Sequence, residues 1–517
     1  MEKFYITTPI YYINDKPHIG HAYTTVCSDV LARYWRMQLG ADNVYFLTGT
    51  DEHGAKIEQK ATQEGVTPLE LANRVSAEFQ LAWDRLSISN NDFIRTTEKR
   101  HEDEVVVFMN KLKEAKTPKG NDAIYEGDYE GLYCIGCERY YTENELDENG
   151  CCPDHRTKPE YMKEKNWFFR LSDYTETLKD LIDTGGYDIK INSRKNEMLG
   201  LLNQGLEDLA ISRQSVEWGI PIPWDKSQTT YVWVEALMNY VTGLGGIKGE
   251  LFHKFWPAEI HVIGKDILKF HAVIWPAMLL AIGVDVPKLI FAHGFFTIDG
   301  QKMSKTLGNV IDPNDMIDTY GVDAARYLIV SQYSFGADGD IQADRFDDIF
   351  NAHLAGGLGN LVSRVSAMVG KYFKGKAPAV VNKDPFDTQK LWNEYNRLLS
   401  DQKIFETIGI INEAVGSANK YIEDNKPWEL AKEDEKALGV VLYNLLEMIR
   451  HIAIMEIPFM PDTADKILQA LGYKPEEIKK EDMVGLTTWG LLKEGNEITK
   501  GESLFPRLEK KEEKEGE

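Results

Sequence analysis

Apolar runs and polar punctuation divide the chain into three textures. Residues 4–8 (FYITT) and 44–49 (VYFLTG) are short β-branched and aromatic runs that predict buried strands. The segment between them, HAYTTVCSDVLARYWRMQL, puts Val26, Val30 and Tyr34, with Leu31 and Trp35, on one helical stripe, so the three together read as a strand–helix–strand unit. The pattern returns much later as IHVIG at 260–264, a helix around 267–282 and LIFAHGFF at 289–296, which predicts one parallel sheet shared by two distant halves of the chain. Residues 119–165, rich in Gly, Tyr, Cys and charge, read as a small domain inserted between those halves. Beyond about residue 350 the period becomes helical. Ile404, Ile408, Ile411, Val415, Ala418 and Ile422 step by three and four, as do Leu438, Leu442, Leu445, Ile449 and Ile452; such stripes form the core of a helix bundle. The closing EKKEEKEGE has no apolar residue and predicts a solvated tail.

Composition narrows the class. At 517 residues the chain has room for about three or four domains, and its 43% hydrophobic and 27% charged residues are those of a globular protein, which excludes a disordered or fibrous chain. The run FHAVIWPAMLLAIGV at 270–284 holds a His and a Pro and is shorter than the roughly 20 residues of a membrane span, so no membrane association is expected. The N-terminal MEKFYITTPIYY lacks the apolar core and cleavage site of a secretory signal, and the expected location is the cytoplasm. A net charge of −23 discourages indiscriminate binding to nucleic acid but permits a specific RNA partner met by locally gathered side chains.

Two short motifs suggest phosphate chemistry. In KPHIGHAY, His18 and His21 lie three apart where a loop becomes a helix; Gly20 allows a ligand close to the backbone, and the helix start offers N–H groups and partial positive charge. The bland alternative is that the two histidines only cap or pack the helix. The second motif, TIDGQKMSKTLGN, carries Lys302 and Lys305 with hydroxyls at Ser304 and Thr306 on a Gly-bearing loop, able to follow charge onto a departing pyrophosphate. A third constellation, Cys134-x-x-Cys137 followed after fourteen residues by Cys152-x-x-His155, has the paired spacing of a tetrahedral Zn²⁺ site; Cys151 could replace Cys152, and a redox Cys-x-x-Cys would not explain the second pair.

HIGH at 18–21 and KMSKT at 302–306, on opposite halves of a split α/β fold, resemble the two signatures of class I aminoacyl-tRNA synthetases. TTPIYYIN before HIGH, FLTGTDEHG at 46–54, YVWVEALMNY at 231–240 and IGKDILKFHAVIWPAM at 263–278 are similar to methionyl-tRNA synthetases, and the likeness runs to about residue 470. The family loop usually ends in Ser where Thr306 stands here. The resemblance implies that ATP and L-methionine form methionyl-adenylate and that the methionyl group passes to tRNA(Met). His18, Gly20, His21, Lys302, Ser304 and Lys305 would then handle the phosphates, with Mg²⁺ accompanying ATP, and Asp266 the ribose. The plainer role for Asp266 is a helix cap. Methionine would be held by Asp51 at its ammonium and by Ile10, Trp233, Ala236, Tyr240, His271 and Trp275 around its thioether. The C-P-x-H form of the knuckle favours Cys152 over Cys151, for one structural Zn²⁺ per chain. GNLVSR at 359–364 and KPWELA at 426–431 match the family's anticodon reader through Asn360, Arg364 and Trp428.

The expected architecture is a Rossmann-like parallel sheet split by a zinc-knuckle insertion and followed by an α-helical anticodon-binding bundle. The expected boundaries are 1–118 and 226–320 for the two catalytic halves, 119–225 for the insertion, 321–355 for a linker, 356–500 for the bundle and 501–517 for the tail. With no β-barrel appendage in the sequence, a monomer is expected. The rivals are another class I synthetase for an apolar amino acid, which would need a larger editing insertion, and a small-molecule nucleotidylyltransferase, which has no use for the helical third. A zinc-stabilised RNA-binding protein with a dead nucleotide fold is opposed by the intact His and Lys pairs.

Overall fold

Six strands that alternate or fill with β-branched and aromatic residues assemble one sheet. They are β1 (Phe4–Tyr12), β2 (Val44–Asp51), β3 (Asp92–Arg95), β4 (Asp188–Lys190), β5 (Ile260–Gly264) and β6 (Leu289–His293), in the spatial order β3-β2-β1-β5-β6-β4. The pairs β2–β3, β1–β5, β5–β6 and β6–β4 run parallel, with Ile6 beside Ile260 and Val262 beside Phe291. Every residue of β2 is buried, as a strand covered on both faces must be. The two distant halves therefore share one parallel sheet, and β4, from within residues 119–225, adds its edge strand. The computed structural model describes all residues except 1, 135–138, 142–144, 154–155, 299, 302, 304–308, 344, 479, 482 and 509–517.

Two compact units divide the chain: Met1–Pro17, Tyr45–Asp84 and Ser89–Phe295 form the first, and His18–Val44, Arg85–Ile88 and Phe296–Glu517 the second. The first holds the six-stranded sheet and a four-stranded antiparallel sheet in which Ile124–Cys134 runs for ten pairings against Glu160–Phe169. It also contains an irregular helix that bears on function. Phe270–Ile274 is a π-helical turn running into the α-helix Trp275–Ala281. Pro276 has no N–H for the carbonyl of Ala272, and the Tyr187 hydroxyl donates to that carbonyl instead at 2.6 Å.

In the second unit the predicted stripes are buried in the helices Ile404–Asn425 and Glu435–Glu456. Among the described residues Glu435–Glu456, rather than 270–284, is long and apolar enough to cross a membrane; its apolar window is 94% buried by neighbouring helices. Polar ties close this unit. The guanidinium of fully buried Arg326 bonds Asp29 at 2.8 Å and donates to the carbonyls of Leu86, Pro458 and Phe459, so its charge is paired and its donors are used. Fully buried Glu447 accepts from Arg450 and from the N–H groups of Gly490, Leu491 and Leu492, fastening the C-terminal segment to Glu435–Glu456.

Candidate active site

In the first unit, the carboxyl end of β2 delivers Asp51 to a cavity of about 280 Å³ lined by Pro9, Ile10, Asp51, Trp233, Ala236, Leu237, Asn239, Tyr240, Ile267 and His271. That is the end of a parallel strand at which such sheets bind ligands. The walls of the cavity are mostly apolar and aromatic, as those of small-molecule sites are. Its polar groups are fixed by one chain of hydrogen bonds. His271 Nδ1 lies 2.9 Å from the Ile267 carbonyl, which can only accept, so this nitrogen carries the proton. Nε2 of the neutral ring then accepts from the Tyr240 hydroxyl at 2.7 Å. Burial pushes His271 down to about 4 and keeps the Tyr240 phenol well above its ordinary range, so both are uncharged at neutral pH. Half-buried Trp233 stacks on Phe270, with ring centroids 4.1 Å apart.

The π turn places His271, and no periodicity in the sequence announces it. Trp275, one of the expected methionine residues, is absent from the cavity lining: it is fully buried, 6.1 Å from the Tyr240 ring and stacked on Phe108. Pro9, Leu237, Asn239 and Ile267 line the cavity without having been singled out. Their signal was adjacency, since each lies within one to four residues of one that was. Exposed Asp266 follows β5 on the turn Lys265–Ile267. A Cβ on Gly264 would stand 2.5 Å from its carboxylate oxygen, which therefore lies against the strand end.

In the second unit, His18 and His21 form a reciprocal cap on the helix Ile19–Leu39. Gly20 N–H donates to His18 Nδ1 at 3.0 Å and His18 N–H to His21 Nδ1 at 3.2 Å. The rings stack with centroids 3.8 Å apart. The capping alternative is thus part of the geometry, and it has a chemical consequence. With both Nδ1 atoms accepting, the proton of each neutral ring is on Nε2, a donor suited to a phosphate oxygen at a helix start. Burial, with the neighbouring His18, holds His21 well below the imidazole range. A Cβ on Gly20 would stand 2.8 Å from His18 Cε1 and 3.3 Å from the methyl of Met303, so Gly20 admits both the imidazole and the one described residue of the KMSKT motif. Lys302, Ser304, Lys305 and Thr306 lie outside the described residues. Asp340 accepts from the Thr297 hydroxyl at 2.5 Å and from Gly300 N–H at 2.8 Å, both ahead of that motif in the chain.

Also in the second unit, exposed Asn360 opens the helix Asn360–Phe373 and half-buried Arg364 follows one turn on, donating to Glu423 at 2.8 Å. Trp428, behind Pro427 at the start of Pro427–Glu433, is 39% exposed and so is not a core residue. In the first unit Cys134 and Cys152 are buried in one small cluster with Tyr141, whose hydroxyl is 3.2 Å from Cys152 Sγ, whereas Cys151 is partly exposed. Cys137 and His155 lie outside the described residues, and among the described residues no group of three or more His, Cys, Asp or Glu could hold a metal.

A split parallel sheet, a His-Ile-Gly-His helix cap and a helical C-terminal region define a class I aminoacyl-tRNA synthetase. The family model for class I tRNA synthetases (M) matches residues 4–158 and 148–366, and the one for the anticodon binding domain of methionyl tRNA ligase matches 386–516. Methionine–tRNA ligases of Thermotoga maritima and Streptomyces coelicolor are 41% and 42% identical; each alignment covers 98% of this chain, and 81% and 97% of the relative. The structure of Mycobacterium tuberculosis methionyl-tRNA synthetase in complex with methionyl-adenylate superposes with a TM-score of 0.92 at 36% identity, over 98% of this chain and 100% of that one. The chain belongs to the methionine–tRNA ligases, ATP-dependent enzymes that activate L-methionine and charge tRNA(Met).

Proposed function

We propose that this chain performs its family's reaction with methionine held in the Asp51–Tyr240 cavity. The observation that carries this reading is the cavity's polarity: Asp51 is the one carboxylate among its described lining residues, while Tyr240 and His271 are held neutral. Such a pocket takes one ammonium and one apolar, polarisable side chain. Asp51 pairs with the ammonium, and the thioether packs against Ile10, Trp233, Ala236, Tyr240 and His271, with Trp275 supporting Tyr240 from behind.

The methionine carboxylate is already ionised at neutral pH and attacks the α-phosphorus of ATP without a general base. A carboxyl oxygen–phosphorus bond forms, the bond from that phosphorus to the oxygen bridging the β-phosphate breaks, and pyrophosphate leaves with the electron pair. His18 and His21 donate through Nε2 to phosphate oxygens, and Gly20 keeps the helix start accessible. Lys302 and Lys305, with Ser304, neutralise the pyrophosphate as it departs, and Asp266 holds the ribose. Mg²⁺ bound with ATP would supply further positive charge to the phosphates. In the second step the terminal 2′-hydroxyl oxygen of tRNA attacks the acyl carbon: an ester bond forms, the bond from that carbon to the phosphate oxygen breaks, and AMP leaves with the electron pair while its phosphate takes up the hydroxyl proton.

Asn360, Arg364 and exposed Trp428 read the anticodon by hydrogen bonding and stacking. Buried Cys134 and Cys152 suit thiolate ligation, and with Cys137 and His155 they would hold a structural Zn²⁺ in the insertion. The boundaries at 118, 320 and 355 are kept in this reading, but the insertion ends before Asp188–Lys190, which pairs with β6 in the catalytic sheet, rather than at 225, and residues 501–508 belong with the helical unit, where Leu508 bonds Asn351 and Phe505 packs on Phe350. The protein works in the cytoplasm, where tRNA is charged. ATP–pyrophosphate exchange with each amino acid in turn, followed by transfer to deacylated tRNA, tests the reading. Exchange with methionine and charging of tRNA(Met) are expected; exchange with a different amino acid, or none at all, would overturn it.

A further inference from the structure

A second layer of charge in the first unit touches none of the cavity yet holds the segments that build it. Glu235, fully buried, lies between the cavity residues Trp233 and Ala236 on the helix Val232–Leu237. One carboxylate oxygen is 2.9 Å from His53 Nδ1 and the other 2.9 Å from His101 Nε2. His53 is two residues beyond Asp51. Its peptide neighbour Gly54 donates to the Trp218 carbonyl, and Trp218 Nε1 donates to the Glu52 carbonyl at 2.7 Å. His101, on the helix Lys99–Glu114, continues through Nδ1 to the Thr242 hydroxyl at 2.8 Å, two residues beyond Tyr240. One carboxylate thus joins the end of β2, the Lys99–Glu114 helix and both short helices carrying Trp233, Ala236 and Tyr240. Burial disfavours a proton on His53, but Glu235 outweighs it and raises the imidazole above its ordinary range; Glu235 is lowered in turn against the opposing effect of burial.

We propose that Glu235, shared between His53 and His101, is a positioning residue that sets the separation of Asp51 from the Trp233–Tyr240 wall and through it the affinity for methionine. The inference rests on the reading of that cavity as the methionine pocket. Its chemistry needs a carboxylate: both oxygens accept, whereas the amide of Gln offers one acceptor and one donor and can satisfy only one histidine without moving that ring's proton. Surrounding groups that fix first contacts in this way control binding geometry at sub-ångström scale.

The test compares methionine-dependent pyrophosphate exchange in the unaltered protein with that in Glu235→Gln, His53→Asn and His53→Ala, recording KM for methionine, KM for ATP and the active fraction from an adenylate burst. Glu235→Gln and His53→Ala are expected to raise KM for methionine about tenfold with KM for ATP within about twofold. His53→Asn, whose amide N–H can replace Nδ1–H without the charge, is expected to lie between these and the unaltered protein. A fall in active fraction with both KM values unchanged, or an equal rise in both, overturns the proposal. Should Glu235→Gln fail to fold, the order of the two His53 variants decides, and their equality with the unaltered protein refutes it. Absence of methionine-dependent exchange in the unaltered protein would instead overturn the pocket assignment beneath it.

Discussion

The cavity of Asp51, Tyr240 and His271 and the histidine corner of His18 and His21 use imidazoles in opposite ways. In the cavity, both His271 nitrogens are committed, one to the Ile267 carbonyl and one to the Tyr240 hydroxyl, and the ring acts as a fixed wall. In the corner, both rings turn Nδ1 to backbone N–H groups at the start of Ile19–Leu39, which puts the ring proton on Nε2. A wall that is rigid before ligand arrives favours ground-state binding. Donors at a helix start, by contrast, act on charge that develops as the phosphates separate. In the proposed function the same residue type would serve selection in one place and catalysis in the other, with the hydrogen-bond partner of Nδ1 setting which nitrogen carries the proton.

The largest effect that could break this contrast is at the corner. His21→Asn should lower kcat for pyrophosphate exchange by about 10²–10³-fold while KM for methionine stays within about twofold; steady-state exchange kinetics would read both. A large rise in KM instead would make His21 part of the amino-acid pocket. A smaller effect is expected in the cavity. Tyr240→Phe leaves His271 Nε2 buried without its donor, a loss of about 2 kcal/mol that should appear as a rise of about thirtyfold in KM for methionine with kcat little changed.

Much of this was legible in the sequence. The strand runs at 4–8, 44–49 and 260–264 lie within β1, β2 and β5, and the stripes from Ile404 and from Leu438 are buried, because one-sided or complete burial writes a period into the chain. What was hidden came from groups that satisfy one another across long separations. The π turn at Phe270–Ile274 depends on Tyr187 replacing the N–H that Pro276 lacks, 85 residues away from Ala272. The Glu235 network draws on residues 53, 101, 235 and 242, each ordinary in its own segment. Edge strand β4 has three residues, too few for a period to show. Trp275 shows the two kinds of reading apart: the family resemblance alone put it among the methionine residues, whereas its helical spacing is that of a core residue, and it is fully buried beside Tyr240 and outside the cavity lining.

A separate effect, on stability rather than on kinetics, concerns pH. His271 is lowered to about 4, so its neutral form stabilises the fold fully above 6.5, the unfolded value. Each pH unit below that should remove about 1.4 kcal/mol of its share until the pH nears 4. His293, also lowered to about 4 by burial, adds a loss of the same sign, whereas His53, raised by Glu235, contributes in the opposite direction. Thermal melts between pH 4 and 7 should therefore fall less steeply for His271→Gln than for the unaltered protein; parallel curves would mean that His271 is not held neutral.

The division of labour is tested most directly by the equilibrium affinity for methionine, measured by calorimetry without ATP, in Asp51→Asn and His21→Asn. Removing the charge of Asp51 should weaken methionine by at least about thirtyfold, as loss of one partner from a buried charge pair does, and His21→Asn should bind it as the unaltered protein does. Equal weakening in both, or full affinity in Asp51→Asn, would contradict the account.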